Sequence, residues 1–168
     1  HSLFQHTLLQ PVLQLQNSEC GLACLCMLAS AHGQHWTLMA LRQKFPQSVK
    51  GANLKQLIDQ SQVMGFNARP LRLELSELKD LKTPCILHWD LNHFVVLQKV
   101  TRHQIKLLDP ALGQRRMSFS EASKHFTGVA LELTPQPNFT QTVQRPSFSL
   151  SQITGHVQGL GASVFQIL

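Results

Sequence analysis

The segment LQLQNSECGLACLCMLASAHG, from Leu13 to Gly33, decides the fold of this chain. From Cys20 to Ala31 nearly every residue is apolar, and Gly33 then supplies a residue that accepts the left-handed backbone found at helix ends. A helix that is apolar on all its faces belongs in the centre of a domain. The segment therefore predicts a central helix that starts at about Cys20 and has Ser18 or Glu19 as its cap.

The composition is that of a globular domain with one principal core. The chain has 168 residues, of which 43% are hydrophobic and 14% are charged, and this length suffices for a core without disulfide staples. The four cysteines are too few and too irregularly spaced for a disulfide framework, so we expect a reducing, cytoplasmic setting. We find no secretory signal and no run of about 18 apolar residues that could span a bilayer.

The formal net charge is +6, and much of the basic excess lies between Lys99 and Lys124. A nucleic-acid surface would interleave such charges with stacking aromatic residues, but the chain has no tyrosine and only two tryptophans. We therefore interpret the basic segment as a solvated hairpin and expect no nucleic-acid partner. Proximity to an anionic lipid surface is the alternative interpretation.

Two further helices and a set of strands are expected after the central helix. Thr37 and Asn53 can cap the segments TLMALRQKF and NLKQLIDQSQVMG. After Gly65 the apolar period changes from near 3.6 to near 2, which is typical of an antiparallel sheet. The expected strands are FNARPLRLEL, PCILHW, HFVVLQKV, QIKLLD and GVALELT, and Ser76 and Ser120 cap two short helical insertions. Helices followed by strands indicate an α+β domain with two packed lobes.

The composition changes again at Pro135. The segment PQPNFTQTVQRPSFSLSQ contains three prolines and many small polar residues, which is typical of a linker. We therefore predict a domain over residues 1–134 and a linker over residues 135–168. The final residues, ITGHVQGLGASVFQIL, are amphipathic and suit a membrane surface or the start of a longer helix.

Cys20 is the candidate nucleophile of this chain. The N–H groups and the positive dipole end of a helix N-terminus stabilise the thiolate, which is the reactive form of cysteine. Cys24 and Cys26 lie deeper in the same helix and are interpreted as small packing residues. A metal site that uses Cys20 and Cys24 is a further alternative, but the sequence lacks the second ligand pair that structural zinc sites show.

A nucleophile of this kind needs a base, and the base needs a residue that orients it. His93 begins HFVVLQKV and Asp109 ends QIKLLD, so a hairpin turn between these strands would make them neighbours. Their order after Cys20 is the arrangement of papain-like peptidases. His88 competes with His93 for the role of base, while Asp90 and Asn92 compete with Asp109.

Acyl transfer also needs hydrogen-bond donors for the developing oxyanion. The backbone N–H of Cys20 is one donor by position. The side chain of a glutamine a few residues upstream can supply the second donor, and both Gln14 and Gln16 are available.

Four segments resemble a known family, namely QLQNSECGLACLCML, PCILHWDLNHFVVL, LLDPALGQRRMSF and HFTGVALEL. They are similar to the bacteriocin-processing cysteine peptidase domain of peptidase-containing ABC transporters, colicin V exporter type, over about residues 9–134. The resemblance implies a papain-like fold with an N-terminal helical lobe packed on a C-terminal antiparallel β-sheet lobe. The family pattern of Gln, five residues and Cys selects Gln14 for the oxyanion hole, and the family's His and Asp-Pro motifs select His93 and Asp109.

The resemblance also implies a function. Such domains cut a leader peptide after a double-glycine type motif, Gly-Gly or sometimes Gly-Ala, without cofactor or metal. The implied partners are the leader of a secreted precursor and the transmembrane and ATPase domains of the same transporter, at the cytoplasmic face of the bacterial inner membrane. A homodimer of the full-length form is also compatible with it. No GxxxxGK[ST] loop occurs in the sequence, so the ATPase would lie elsewhere. A non-cleaving, peptidase-like docking domain that tethers the transport substrate is the alternative function.

Overall fold

The fold is seen in a computed structural model that describes residues 9–141, apart from the side chain of residue 17. Three helices precede the sheet, and a short fourth helix lies between its last two strands. They are α1 (Cys20–Ala31), α2 (Leu38–Lys44), α3 (Leu54–Val63) and α4 (Phe119–Ala122). The predicted α+β architecture, with a helical lobe before a sheet lobe, is confirmed.

Six strands form one antiparallel sheet in the order β1-β6-β2-β3-β4-β5. They are β1 (Phe66–Arg72), β2 (Cys85–Trp89), β3 (His93–Val100), β4 (Gln104–Asp109), β5 (Gly113–Ser118) and β6 (Phe126–Pro135). Strands β2 to β5 are joined as successive hairpins, while β6 lies between β1 and β2. The last strand in the chain therefore pairs with β1 on one side and with β2 on the other.

Strand β5 is absent from the sequence-based prediction. Its residues are largely polar, and only Met117 is buried, where it pairs with Ile105 of β4. The strand is stabilised by its backbone ladder with β4 more than by an apolar face, so the apolar period does not reveal it. Gly113, four residues after Asp109, was the available signal, because glycine at that distance is typical of a short hairpin loop.

Two apolar clusters cover the two faces of the sheet. On one face, α1 packs against side chains that include Phe94 and Val96. Val95 and Leu97 belong to the second cluster, because successive residues of a strand point to opposite faces. In α1 every residue over 20–29 is buried. The prediction of a central, wholly apolar helix is therefore confirmed.

Several predicted helix ends agree with the structure. The Thr37 hydroxyl accepts a hydrogen bond from the Ala40 N–H at 3.0 Å. Asn53 and Gln56 form a reciprocal capping box, with both distances at 2.9 Å. Gly33 follows α1 with a left-handed φ of 83°. These caps are local interactions, which explains why a local sequence pattern finds them.

The caps predicted at Ser76 and Ser120 are wrong, because both helices begin earlier in the chain. At the start of the 3-10 helix Leu75–Asp80, the Glu77 carboxylate accepts a hydrogen bond from the Glu74 N–H at 2.6 Å. At α4 the hydroxyl of Ser118, the last residue of β5, accepts from the Glu121 N–H at 3.1 Å. Since β5 was not predicted, the residue at which β5 ends and α4 begins could not be predicted either.

The end of the sheet lobe makes contacts beyond Pro135. The Gln136 N–H donates to the Gly65 carbonyl at 2.8 Å, and the Phe139 ring lies 4.9 Å from that of Phe66. The domain boundary at residue 134 stays a prediction, and most of the predicted linker, from residue 142 onward, lies outside the described residues. No helix within residues 9–141 has both the length and the apolar character required to cross a bilayer.

Gly51 and Gly113 allow a matched test of close packing within the helical lobe. Both have left-handed φ angles, but a Cβ at Gly51 would lie 2.9 Å from the Ser18 carbonyl oxygen, whereas one at Gly113 would meet nothing within 4 Å. Gly113→Ala should cost about 1 kcal/mol for the backbone alone. Gly51→Ala should lower the free energy of unfolding by roughly a further 1 kcal/mol or more. Urea unfolding of both variants measures this, and equal losses would contradict the predicted collision.

Candidate active site

His93 and Asp109 are brought together at one end of the sheet. The His93 Nε2 lies 2.8 Å from Asp109 Oδ1, and the aspartate side chain is 4% exposed. Pairing of β3 with β4 creates this proximity, since Leu97 lies opposite Leu107 and the strands are joined at Thr101. Asp109 thus lies next to the histidine, as the strand pattern predicts.

The backbone and a neighbouring strand also hold the Asp109 carboxylate. Oδ1 accepts a hydrogen bond from the Ala111 N–H at 2.8 Å. Arg115 Nη1 lies 3.6 Å from Oδ2. The sequence reasoning missed Arg115 because it lies on β5, although a basic residue at the start of the next hairpin strand was a usable signal. The carboxylate is therefore fixed from three directions.

Cys20 is the first residue of α1 and is 6% exposed. Its side chain lies within hydrogen-bonding reach of the His93 ring. The close packing of α1 against β3 accounts for this approach. The structure thus places Cys20, His93 and Asp109 next to one another, in the spatial order thiol, imidazole and carboxylate.

The electrostatics of the pair favour an imidazolium. Burial opposes a charge on His93, but hydrogen bonds to Asp109 and Cys20 outweigh it and raise the pKa of His93 to about 9. Burial also acts to raise the pKa of Asp109, but the hydrogen bonds from His93 and Ala111 lower it overall. At neutral pH the pair is therefore a protonated histidine beside an ionised aspartate.

The competing residues have other partners. His88 Nδ1 lies 2.8 Å from the Thr127 hydroxyl, and burial lowers the pKa of His88. The Asp90 carboxylate lies 2.7 Å from Nδ1 of His125. Asn92 is an exposed residue of the turn before β3. The geometry therefore favours His93 and Asp109 over each competitor.

The other cysteines of α1 lie in the core. Cys24 and Cys26 are 0% and 1% exposed. Burial raises the pKa of the Cys24 thiol well above its usual value and that of Cys26 to about 12. Both side chains are therefore uncharged packing residues. Across residues 9–141 there is also no cluster of three or more His, Cys, Asp or Glu that could hold a metal ion.

Gln14 and Gln16 have different surroundings. The Gln14 N–H donates to the carbonyl of Pro110, the residue directly after Asp109, at 2.9 Å. Its side-chain Oε1 is buried and has no hydrogen-bond partner among the described residues. Gln16, in contrast, is exposed. Only Gln14 is thus attached to the turn that carries Asp109.

Glu19 is the N-cap residue of α1, one of the two predicted, but the side-chain hydrogen bond expected of a cap is not formed. Its carboxylate instead accepts the N–H groups of Leu15 and Gln16, at 3.0 and 3.1 Å. The 3-10 helix Asn17–Glu19 directs this side chain backwards along the chain. No capping side chain therefore competes for the N-terminal end of α1, where Cys20 lies.

A cavity of about 560 Å³ is lined by chain neighbours of His93, although none of Cys20, His93, Asp109 and Gln14 lines it. Asn92 and Phe94, which flank His93 in the chain, line one part of it. Gly51, which approaches Ser18, lines another. A second cavity, of about 480 Å³, lies beside the Leu75–Asp80 turn and contains none of the candidate residues. Of these two cavities, only the first is lined by chain neighbours of His93.

A cysteine at a helix N-terminus, beside a histidine and an aspartate on a sheet, is the arrangement found in papain-like cysteine peptidases. Comparison with known proteins agrees with this class. Residues 9–138 match the family model described as the Peptidase C39 family. The chain therefore belongs to the Peptidase C39 family.

Two similar proteins come from Escherichia coli. The chain is 43% identical over 158 residues to the colicin V secretion/processing ATP-binding protein CvaB. It is 42% identical to the probable microcin-H47 secretion/processing ATP-binding protein MchF. In both cases the match covers 94% of this chain but 23% of the relative. The chain thus spans about a quarter of the length of these relatives.

Solved structures confirm the papain-like fold. A double glycine motif protease from an AMS/PCAT transporter, crystallised in complex with the leader peptide, is 30% identical with a TM-score of 0.69. The peptidase domain of Streptococcus ComA, a bi-functional ABC transporter, is 26% identical with a TM-score of 0.70. Each match covers 76% of this chain and 99% of the other.

The pKa of His93 predicts how stability depends on pH. The pKa of His93 is about 9 in the folded chain and about 6.5 in an unfolded one. Protonated His93 therefore stabilises the folded chain fully below pH 6.5, and this stabilisation is lost as the pH rises through 9. The wild type should therefore have a higher free energy of unfolding than His93→Gln at pH 6.5, and this difference should shrink as the pH rises to about 9.5. Urea unfolding across this range measures it.

His103→Gln is the control, because His103 is an exposed residue of the β3–β4 turn. It should follow the pH dependence of the wild type. A constant difference between the wild type and His93→Gln would show that the His93–Asp109 pair is not charged as described.

Proposed function

We propose that this chain is the cysteine endopeptidase domain of a bacteriocin- or toxin-exporting ABC transporter and cleaves a leader peptide after a double-glycine type motif. Cys20 is the nucleophile, His93 is the acid and base, and Asp109 orients His93. Gln14 completes the oxyanion hole. The observation that carries the proposal is the 2.8 Å contact of His93 with Asp109, on a ring that also reaches Cys20.

The charge state of His93 suits the first step of the reaction. A histidine that is protonated at neutral pH can stand beside a Cys20 thiolate as an ion pair, which is the reactive state of such enzymes. The Cys20 sulfur attacks the carbonyl carbon of the second leader glycine. The electron pair of that carbonyl moves to its oxygen, and a tetrahedral intermediate forms.

Two donors stabilise this oxyanion in the proposed mechanism. The Cys20 N–H lies at the uncapped end of α1, and the Gln14 side chain supplies the second donor. The hydrogen bond from the Gln14 N–H to the Pro110 carbonyl supports this role, because it holds Gln14 beside the turn that carries Asp109. As the intermediate collapses, His93 gives its proton to the leaving amine. Water, activated by the now neutral His93, then hydrolyses the thioester and releases the leader.

The identity of the substrate rests on the relatives. The match to a double glycine motif protease in complex with a leader peptide supports a leader peptide here. Glycine is the first residue of the motif in both Gly-Gly and Gly-Ala, which implies a channel too narrow for a β-carbon at that position, so rejection of larger residues is steric. The cavity of about 560 Å³ beside His93 is the proposed entry for the leader.

The proposed partners follow from the same relatives. Both Escherichia coli proteins are ATP-binding secretion and processing proteins, four times as long as this match. We therefore place the domain at the cytoplasmic face of the inner membrane, attached to transmembrane and ATPase domains. Cleavage would then precede export of the cargo by that transporter.

Cys20→Ala should abolish cleavage, because burial raises the pKa of the other two cysteines of α1, Cys24 and Cys26, and keeps them uncharged at neutral pH. The substrates are leader peptides with Gly-Gly, Gly-Ala or Ala-Ala at the scissile site, and mass spectrometry detects the two fragments. Gly-Gly should be cut fastest and Ala-Ala not at all. Cys85→Ala, a buried cysteine of the second apolar cluster, is the matched control and should still cleave. A chain that binds the leader with Cys20 intact but never cuts it would be a docking domain instead.

Gln14→Ala should lower kcat by about 10²- to 10³-fold, the usual effect of removing one oxyanion donor. The KM should change little, since the donor acts on the transition state. Gln16→Ala is the matched control, because Gln16 is an exposed residue of the same loop. Steady-state kinetics with the Gly-Gly peptide measures both. An equal effect of the two substitutions would assign the loss to the loop and not to the Gln14 amide.

A further inference from the structure

We propose that Glu19 is a positioning residue for catalysis, and that its carboxylate holds the loop of Gln14, Leu15 and Gln16, here called the oxyanion loop, at a fixed distance from Cys20. The inference rests on the proposed function, in which Gln14 is an oxyanion donor. Glu19 precedes Cys20 directly, so one residue connects the loop with the nucleophile. No contact with substrate is required for this role.

The hydrogen bonds of Glu19 run to the backbone of the oxyanion loop. Oε2 accepts the N–H groups of both Leu15 and Gln16, at 3.0 and 3.1 Å. The residue is 1% exposed, so water does not compete for these bonds. Two adjacent N–H groups bound to one buried oxygen fix the direction of the backbone on the C-terminal side of Gln14.

The other carboxylate oxygen of Glu19 is held from the side. Oε1 pairs with Nε of Arg42, which lies on α2. This hydrogen bond, with those from the loop, lowers the pKa of Glu19 against the opposing effect of burial. The carboxylate is therefore ionised at neutral pH and is a strong acceptor for the loop.

Side chains contribute little to holding this loop. Leu13 and Leu15, on either side of Gln14, are 55% and 78% exposed, so no apolar contact buries them. The remaining backbone attachments run from the Gln14 N–H to the Pro110 carbonyl and from the Glu19 N–H to the Gln16 carbonyl, at 2.9 and 3.1 Å. Glu19 and Pro110 thus hold the loop from opposite ends of Gln14, and removal of Glu19 should let the donor move away from the oxyanion.

A purely structural role for Glu19 is the rival explanation, and Glu132 provides the control for it. Glu132 is 3% exposed and pairs with Arg69 at 3.2 Å. Its second oxygen accepts the Lys82 N–H at 2.6 Å. It therefore has the same chemistry as Glu19, a buried carboxylate that binds an arginine and a backbone N–H, but lies on β6 away from the candidate site.

The experiment compares Glu19→Gln with Glu132→Gln in three assays. These are cleavage of the Gly-Gly peptide, inhibition by a peptide aldehyde and alkylation of Cys20 by iodoacetamide. The aldehyde carbon bonds to the Cys20 sulfur, and the resulting oxygen occupies the oxyanion hole. Iodoacetamide alkylates the same sulfur with loss of iodide and forms no oxyanion. The two reagents therefore separate the position of the oxyanion donor from the reactivity of the thiol.

Glu19→Gln should lower kcat by about 10- to 100-fold, less than loss of the donor itself, with KM unchanged within about twofold. It should weaken the aldehyde by a similar factor and leave the alkylation rate unchanged. In a Gln14→Ala background it should have little further effect on kcat, because the donor that it positions is gone. Glu132→Gln should lower the melting temperature without altering any of the three assays.

Arg42→Gln is the second variant, since Arg42 is partly exposed and its replacement retains the Glu19 carboxylate that accepts both N–H groups of the loop. Like Glu19→Gln, it should weaken inhibition by the aldehyde and lower kcat, but by a smaller factor than Glu19→Gln does. Aldehyde affinity equal to the wild type in the folded variants would overturn the role of Glu19. An equal slowing of alkylation and cleavage would do the same. Failure of the wild type to cleave any leader would instead overturn the proposed function.

Discussion

The hydrogen bond between His93 and Asp109 is the interaction on which the rest of the site depends. It exists because β3 and β4 pair with Val96 opposite Leu108, in the register that follows a one-residue shift between Leu97 and Lys99. A slip by one residue would turn Asp109 to the other face of the sheet. The apolar alternation of both strands prevents that slip, since Val96 and Leu108 belong to one cluster and Leu107 to the other. Packing of the core thus sets the charge of a histidine at its edge.

The turn after Asp109 joins the two halves of the site. In the proposed mechanism, Asp109 orients His93 through its side chain. The next residue, Pro110, accepts the N–H of Gln14 through its carbonyl. The proposed base and the oxyanion loop are therefore attached to the same two residues of the sheet lobe. Cys20 comes from the helical lobe, where Glu19 holds the other end of the loop. Such an arrangement lets neither lobe move without changing the distance between nucleophile and donor.

The parts of the fold that could be predicted have strong apolar patterns. The start of α1 at Cys20 and both ends of β3 and β4 agree with the sequence-based prediction, because burial on one or both faces leaves a clear period. Strand β5 and the cap of α4 could not be found in this way, since a polar edge strand owes its position to its neighbour. The backward direction of the Glu19 side chain was also invisible, because a residue before a helix has the pattern of a cap whether or not it binds the helix.

The two histidines near the end of β2 and the start of β3 show how environment selects function. His88 and His93 are both partly buried, and burial alone would keep both neutral. His88 meets the Thr127 hydroxyl and no carboxylate among its described hydrogen-bond partners, and burial lowers its pKa. His93 meets a buried carboxylate, and its pKa rises to about 9. A search for histidines by sequence spacing cannot separate them, whereas a search for a histidine with a carboxylate on the paired strand can, because only that pairing overcomes the cost of burying the charge.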